Sequence, residues 1–121
     1  MKLFGSSKKS KADPYTINGV PRSELESVTK VLLKFCEDHG LSDTCPKIEF
    51  IKSCILAIEK SDIETAKRQY ESIGIFQKEG FYEWYPEITH PNETREYVNV
   101  IFQSLVKRWA LLILKIFNHE D

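Results

Sequence analysis

Residues 93–118, ETREYVNVIFQSLVKRWALLILKIFN, decide the fold of this chain. Apolar side chains recur there every three or four residues, which predicts one long helix capped by Asn92, with Glu93 in its first turn, and reaching Asn118. One side of it carries Val98, Ile101, Phe102, Leu105, Trp109, Leu112, Ile113 and Ile116, and the roughly opposite side carries Val100, Leu111 and Leu114. A helix that is apolar all round is buried on more than one face. We therefore expect it to be the centre of a bundle or part of a dimer interface.

A first helix is predicted near the N-terminus. It follows an extended stretch in which Asn18-Gly19 is a turn signal. The helix should start within residues 21–23, because Ser23 and Glu26 have the spacing of a capping box. Gly40 is a natural C-terminal stop. Apolar residues recur every three or four positions between these limits, so the helix is amphipathic.

Two more amphipathic helices are predicted before the long one. The second helix should run from about Pro46 to Lys60. The third starts from another capping-box pattern, Ser61 with Glu64, and closes at Gly74. The connections between these helices are short, as in helical bundles.

These patterns predict an all-α protein, a single-domain bundle of four to five helices with a long, apolar C-terminal helix. We find no βαβ alternation and no run of strands with period two. Residues 1–14 are predicted to be a flexible basic tail, and residues 15–121 a single helical domain. No apolar stretch follows the basic N-terminus, and the apolar run 109–117 is too short to cross a bilayer. We expect a cytoplasmic protein that does not associate with a membrane.

The charge is unevenly distributed along the chain. The whole sequence has 17 basic and 18 acidic residues, for a formal net charge of −1. Four of the basic residues, Lys2, Lys8, Lys9 and Lys11, lie in the first eleven positions. From residue 12 onward, 13 basic residues face 18 acidic ones, which gives a charge of −5. Such an acidic body suits a basic partner and is unsuited to nucleic acid.

The cysteines Cys36, Cys45 and Cys54 are spaced nine residues apart. An odd number without a secretory signal favours free thiols. A metal site with His39 as fourth ligand is the alternative, although zinc sites use tight CxxC pairs. Cys36 and Cys54 also fall among apolar helix positions, so we expect buried free cysteines and no metal or other cofactor.

The sequence carries no pattern of catalytic residues. It has neither a phosphate-binding glycine loop nor a G-x-S-x-G elbow. Its glutamates are not paired by spacing with a nucleophile or a metal. Stacking sites for nucleic acid interleave aromatic residues with lysine and arginine, whereas here the interleaved charge is negative. We expect neither enzymatic activity nor nucleic-acid binding.

The segment EGFYEWYPEITHPNE, residues 79–93, has four aromatic residues, four glutamates and no lysine or arginine. Tyrosine and tryptophan are favoured anchors of protein interfaces, and a rim of glutamates speeds encounter with a basic partner. We predict a partner-binding surface, the acidic-aromatic patch, formed by Glu79, Phe81, Tyr82, Glu83, Trp84, Tyr85, Glu87, Glu93 and Glu96. The alternative is that the aromatic residues close the bundle core, for which Phe76 and Phe81 are the best candidates.

Size, acidity, helicity and this patch resemble the small cytosolic immunity proteins that bacteria make against their own secreted or contact-delivered toxins. Helical immunity proteins against colicin nucleases carry a Tyr-Tyr-Pro segment followed by a helix with a Val-Lys-x-Trp pattern. This chain is similar, with Trp84-Tyr85-Pro86 followed by Val106-Lys107-Arg108-Trp109, at a longer spacing. In that family the tyrosines before the proline contact the toxin, so the resemblance implies that Trp84 and Tyr85 do so here.

Two functions follow from these observations. The first is an immunity protein that binds one cognate, basic, nuclease-type toxin and blocks its active site or substrate cleft. The second is a helical adaptor or regulator that forms a homodimer through Val100, Leu111 and Leu114 of the last helix. The two are compatible, because a dimer can also be an inhibitor.

Overall fold

Four α-helices follow a short β-hairpin in the computed structural model, which describes residues 15–119. In chain order the elements are β1 (Thr16–Ile17), β2 (Val20–Pro21), α1 (Arg22–Asp38), α2 (Pro46–Glu59), α3 (Ile63–Ile73) and α4 (Arg95–Phe117). A single 3₁₀ turn, Phe81–Glu83, lies between α3 and α4. The helical bundle is confirmed, but the hairpin means that the fold is not strictly all-α. The predicted basic tail, residues 1–14, lies outside the described residues.

The hairpin closes the end of the bundle at which α4 finishes. Asn18 and Gly19 have φ angles of 47° and 84°, the left-handed conformations that a tight two-residue hairpin turn requires. Ile17 pairs with Val20 across the hairpin, and the Val20 side chain is buried. The Asn18 side-chain amide donates to the carbonyl oxygen of Ile116 at 3.0 Å. It thereby adds a side-chain donor to a carbonyl group in the last turn of α4, where regular intrahelical donors are missing.

The predicted capping boxes of the first and third helices are not formed. The N-cap of α1 is Pro21, so Ser23 already lies inside the helix. Ser61 has a φ angle of 62° and forms the left-handed bend between α2 and α3. The next residue, Asp62, therefore caps α3 by accepting from the backbone N–H of Thr65. The predicted stops at Gly40 and Gly74 are confirmed, since both have positive φ angles.

The last helix begins later than predicted. The side chain of Thr94 accepts from the N–H of Tyr97 at 3.1 Å, so α4 starts at Arg95 rather than directly after Asn92. Glu93 is consequently outside the helix, where its carboxylate binds other partners. The chain makes a turn just before this cap, in which the N–H of Glu93 donates to the carbonyl of His90.

The long helix is buried along one face and exposed on the other. Its buried residues are Val98, Phe102, Val106, Trp109, Ala110, Leu112, Ile113 and Ile116. Val100 and Leu111 are 61% and 62% exposed, so the other helices do not enclose α4 completely. Among the described helices, none combines the length and the hydropathy that crossing a membrane would require.

A buried hydrogen-bond chain joins α1 to α4 inside the core. The indole Nε1–H of Trp109 donates to the hydroxyl of Thr29 at 2.8 Å, and this hydroxyl donates to the Leu25 carbonyl at 2.7 Å. The Trp109 ring also lies 6.1 Å from the ring of Tyr70 on α3. Trp109 therefore contacts two other helices, and Thr29 satisfies its polar atom within the core.

The Trp109–Thr29 bond is testable by a double-mutant cycle. Thr29→Val is expected to lower the free energy of unfolding by about 1–3 kcal/mol, because it leaves the indole N–H buried without an acceptor. In a Trp109→Phe background the same substitution should have almost no effect, since no donor remains there. Urea unfolding followed by circular dichroism measures all four corners of the cycle. An equal loss in both backgrounds would contradict the bond.

Candidate functional site

The segment after α3 folds back on itself and positions the first residues of the patch. The N–H groups of Phe81 and Tyr82 donate to the carbonyls of Gly74 and Ile75, at 3.3 and 2.9 Å. Gly80 makes this return possible, because a β-carbon there would collide with the Gly74 carbonyl oxygen. The side chains from residue 81 onward are therefore held against the bundle instead of extending into solvent.

The rings of this segment divide between the core and the surface. Phe81 is buried edge-on against Phe102 of α4, with ring centroids 5.2 Å apart. Trp84 is half-buried and also packs edge-on against Phe102, at 5.1 Å. Half-buried Tyr82 lies beside Phe76, which is 56% exposed. We predicted Phe81 as a patch residue, but its burial confirms the alternative that it closes the core, so it gives the patch no exposed ring. The same alternative is wrong for Phe76, because Ile75 takes the inward position.

One groove brings together four of the nine predicted patch residues. It has a volume of about 330 Å³ and is lined by Glu79, Glu83, Trp84, Tyr85, Asn99 and Gln103. We call it the acidic groove. Its two glutamates belong to one turn, in which the Glu83 carboxylate accepts from the N–H of Glu79 at 3.0 Å. Two carboxylates, two aromatic rings and two amides give it a lining suited to a cationic group.

One residue that lines the groove, Asn99, has a buried and unsatisfied acceptor. The Oδ1 atom of Asn99 is buried and has no hydrogen-bond partner among residues 15–119. Leaving such an oxygen unpaired costs about 1–3 kcal/mol, and native proteins keep few of them. Sequence reasoning missed both Asn99 and Gln103, since a polar residue on a long helix usually faces solvent. They were identifiable only after the 79–85 segment had been placed beside α4.

Tyr85 is the most exposed aromatic residue of the patch. Its side chain is 67% exposed, and the guanidinium carbon of Arg95 lies 5.8 Å from its ring centroid. Arg95 is the only lysine or arginine in residues 79–96. The ring therefore already accepts a cation from within the chain, and most of its surface is accessible to a partner.

The remaining glutamates of the segment hold it to the end of α1. Glu93 places one carboxylate oxygen 3.0 Å from Nε2 of His39, and its other oxygen accepts from the N–H groups of Thr89 and His90 at 3.2 and 3.4 Å. The N–H of Glu87 donates to the His39 carbonyl at 2.8 Å. We call the ion pair the His39–Glu93 clasp. It joins residues 54 positions apart, and nothing local in the sequence indicated it.

The geometry of the clasp requires a charged histidine. His39 is only 6% exposed, and its Nδ1 lies 2.9 Å from the carbonyl oxygen of Phe35. Both ring nitrogens thus face acceptors, an arrangement that only the imidazolium satisfies. Burial alone would lower the pKa of His39, but the hydrogen bonds to Glu93 and Phe35 and the charges of Glu93 and Asp38 outweigh burial and raise it. The hydrogen bond from His39 lowers the pKa of Glu93.

The predicted patch is therefore not one continuous surface. Its groove part is Glu79, Glu83, Trp84 and Tyr85, while Phe81 is in the core and Tyr82 lies beside Phe76. Glu87 and Glu93 lie at the end of α1, and Glu93 is occupied by the clasp. Glu96 is exposed in the first turn of α4.

The cysteines are placed as core residues. Cys36 and Cys54 are buried and Cys45 is half-buried, all with free thiols. Burial, with a smaller effect of Cys45 on Cys36, raises the pKa of the Cys36 and Cys54 thiols to about 12. Both buried thiols are therefore protonated at neutral pH. Within the described range no three histidine, cysteine or acidic side chains are grouped so that they could hold a metal ion.

The clasp predicts a pH dependence of stability. Since folding raises the pKa of His39 above its ordinary 6.5, the stabilisation is complete below that pH and is lost as pH rises through the folded-state value. Since folding lowers the pKa of Glu93 below its ordinary 4.5, the stabilisation is present above that pH and is lost in more acidic solution. The melting temperature should therefore fall between about pH 6 and pH 8.5.

Two variants distinguish the contribution of the clasp to this pH dependence from that of other titratable groups. His39→Gln and Glu93→Gln should each lower the melting temperature at about pH 6 and flatten its decline toward pH 8.5. His90→Gln, which changes an exposed histidine of the same segment, is the matched control and should keep the wild-type profile. Differential scanning calorimetry across this range measures all four proteins. An unchanged slope in His39→Gln would contradict the clasp.

In comparisons with known proteins, no family model, no curated protein and no solved structure matches this chain. The likeness to immunity proteins rests on the sequence features given above. What the chain does is therefore inferred from its own residues and their geometry.

Proposed function

We propose that this chain is a bacterial immunity protein that binds a basic, nuclease-type toxin and neutralises it by covering its active site or substrate cleft. The observation that carries the proposal is the acidic groove, in which Glu79 and Glu83 lie beside Trp84 and Tyr85. Carboxylates next to exposed aromatic rings form a surface that attracts lysine and arginine and anchors the protein that carries them.

The charge around the groove supports a basic partner. Residues 79–96 contain five glutamates and one arginine. Four of these glutamates, Glu79, Glu83, Glu87 and Glu96, are exposed. A local field of one sign accelerates association with a protein of the opposite sign and disfavours acidic partners. Nuclease active-site clefts are basic because they bind phosphates, so they fit this surface.

The rigidity of the rings supports a binding role as well. Trp84 is braced against Phe102, and the backbone on either side of it is fixed by the 3₁₀ turn and by Pro86, which is buried. A side chain that is already immobilised loses little entropy when a partner covers it. Tyr85 then supplies the exposed area that an interface anchor needs.

The two segments that resemble colicin-nuclease immunity proteins have different roles in this proposal. Trp84 and Tyr85, the pair before Pro86, lie at the groove and are assigned to the toxin contact. Trp109, which ends the Val-Lys-x-Trp pattern, is fully buried and bonded to Thr29, so we assign it to the core.

The proposal is tested by capturing the partner and measuring its activity. The tagged chain is used to retain proteins from its own cell lysate, and mass spectrometry identifies those retained in stoichiometric amount. The proposal requires a single basic protein that stops growth when expressed alone and is harmless when this chain is co-expressed. Retention of no such protein, or of one whose toxicity co-expression leaves unchanged, would overturn it.

A binding measurement with that partner tests whether the residues of the acidic groove form the interface. Tyr85→Ala should weaken the complex by about 2 kcal/mol or more, because it removes an exposed anchor without touching the core. Leu56→Ala, which changes an exposed apolar residue of α2, is the control and should bind as wild type does. Isothermal titration calorimetry provides both affinities. Equal affinity of Tyr85→Ala and wild type would remove the groove from the interface.

A homodimeric adaptor is the second candidate, and the exposed face of α4 favours it. Val100 and Leu111 are eleven residues apart and lie on the same side of the helix. If this face joins two chains, the mass in solution should be twice that of the 14.1 kDa chain, and Leu111→Glu should halve it. Light scattering coupled to gel filtration measures the mass. A monomeric wild-type mass would exclude the dimer and leave the immunity function untouched.

A further inference from the structure

We infer that the acidic groove is a receptor for one arginine side chain of the partner. This inference rests on the proposed function for the existence of a partner, but the chemistry of the groove can be tested without that partner. The volume of about 330 Å³ is at the low end of the range for ligand pockets. It suits a single long side chain inserted from a protein surface.

The lining matches a guanidinium better than an ammonium. Glu79 and Glu83 bring carboxylates to the lining, and Asn99 and Gln103 bring side-chain amides from the wall formed by α4. Arginine has five N–H donors in a planar fork, which lets it bond acceptors on two walls while its face stacks on an aromatic ring. Lysine presents a compact charge that is more strongly hydrated and gains less from Trp84 and Tyr85.

The unpartnered oxygen of Asn99 is the second observation that indicates a ligand. Rotation about the terminal torsion of asparagine is soft, so the amide can turn Oδ1 toward the groove when a donor arrives. A guanidinium N–H would then satisfy an acceptor that has no partner in the described part of the chain. This makes Asn99 a specificity residue, because a ligand without donors leaves its oxygen unpaired.

Arg95 indicates that the Tyr85 ring accepts a guanidinium. Its guanidinium carbon lies 5.8 Å from the ring centroid, within the usual distance for a cation–π contact. An incoming arginine meets the same ring and is repelled by the positive charge already there. Removing the charge of Arg95 should therefore tighten the binding of an external arginine.

The test uses nuclear magnetic resonance of the full ¹⁵N-labelled chain and three tripeptides. These are acetyl-Gly-X-Gly-amide with X as arginine, lysine or citrulline, the uncharged isostere of arginine. The chain has two tryptophans, of which Trp84 lines the groove and Trp109 is fully buried. The indole signal of Trp84 reports binding, and that of Trp109 is an internal control.

The arginine peptide should shift the Trp84 indole signal with saturation at a Kd on the order of millimolar, and leave the Trp109 signal in place. The lysine peptide should bind at least about threefold more weakly, and the citrulline peptide should produce no saturable shift. Equal shifts with arginine and citrulline, a lysine affinity equal to that of arginine, or no saturation by arginine would overturn the inference.

Variants distinguish an effect on peptide binding from an effect on the stability of the fold. Asn99→Leu should weaken the arginine peptide about tenfold, yet its melting temperature should be unchanged or higher because an unsatisfied buried oxygen is removed. Asn118→Leu, the same substitution at an exposed residue at the end of α4, should bind as wild type does. Arg95→Gln should bind the arginine peptide about two- to fivefold more tightly. Wild-type affinity in Asn99→Leu would contradict the assignment.

The two proposals fail in different ways. If the captured partner binds Asn99→Leu and Glu83→Gln as tightly as wild type, the arginine receptor is wrong and the immunity function stands. If the arginine peptide binds as described but no toxic basic partner exists, the groove is an arginine receptor and the immunity function is wrong.

Discussion

The packing of aromatic rings around Phe102 is the interaction on which both the acidic groove and the His39–Glu93 clasp depend. The Phe102 ring is fully buried on α4, and Phe81 and Trp84 both pack edge-on against it, at 5.2 and 5.1 Å. The ring centroid of Phe35 on α1 lies 6.1 Å from that of Phe102, and Phe35 stacks on His39 at 4.0 Å. These rings connect the acidic groove to the His39–Glu93 clasp through the core. A cavity at Phe102 would loosen both, because packed interiors transmit local changes.

The irregular segment between α3 and α4 is held at three points. Gly80 permits the backbone to return beside Gly74, Phe81 is buried in the core, and Glu93 pairs with His39 while binding two backbone N–H groups of its own loop. Connecting segments are usually more mobile than the elements they join, whereas this one is fixed by both polar and apolar contacts. The consequence is a surface whose charged and aromatic side chains are already in place, which reduces the entropy that binding must overcome.

The parts of the fold that could be predicted are those determined by residues close together in the sequence. Pro46 marks the start of α2 and Gly74 the end of α3, because both act through their own backbone. The turn at Asn18-Gly19 was predicted and is confirmed, but the pairing of the flanking strands was not predicted, since they have two residues each, too few to show a period of two. For the site, the aromatic and acidic composition of residues 79–93 predicted the exposed position of Tyr85. The assignment of Glu93 to His39 could not be predicted, because it depends on how the loop and α1 meet in three dimensions.

In the proposed function, the acidic groove is the surface that a basic partner covers. Oxidative footprinting by hydroxyl radicals, followed by mass spectrometry, checks this assignment by comparing the free chain with the complex of the chain and its captured partner. We expect Trp84 and Tyr85 to lose reactivity in the complex while exposed Leu56 and Leu111 keep theirs. Unchanged reactivity of Tyr85, with protection at Leu56 or Leu111 instead, would contradict it.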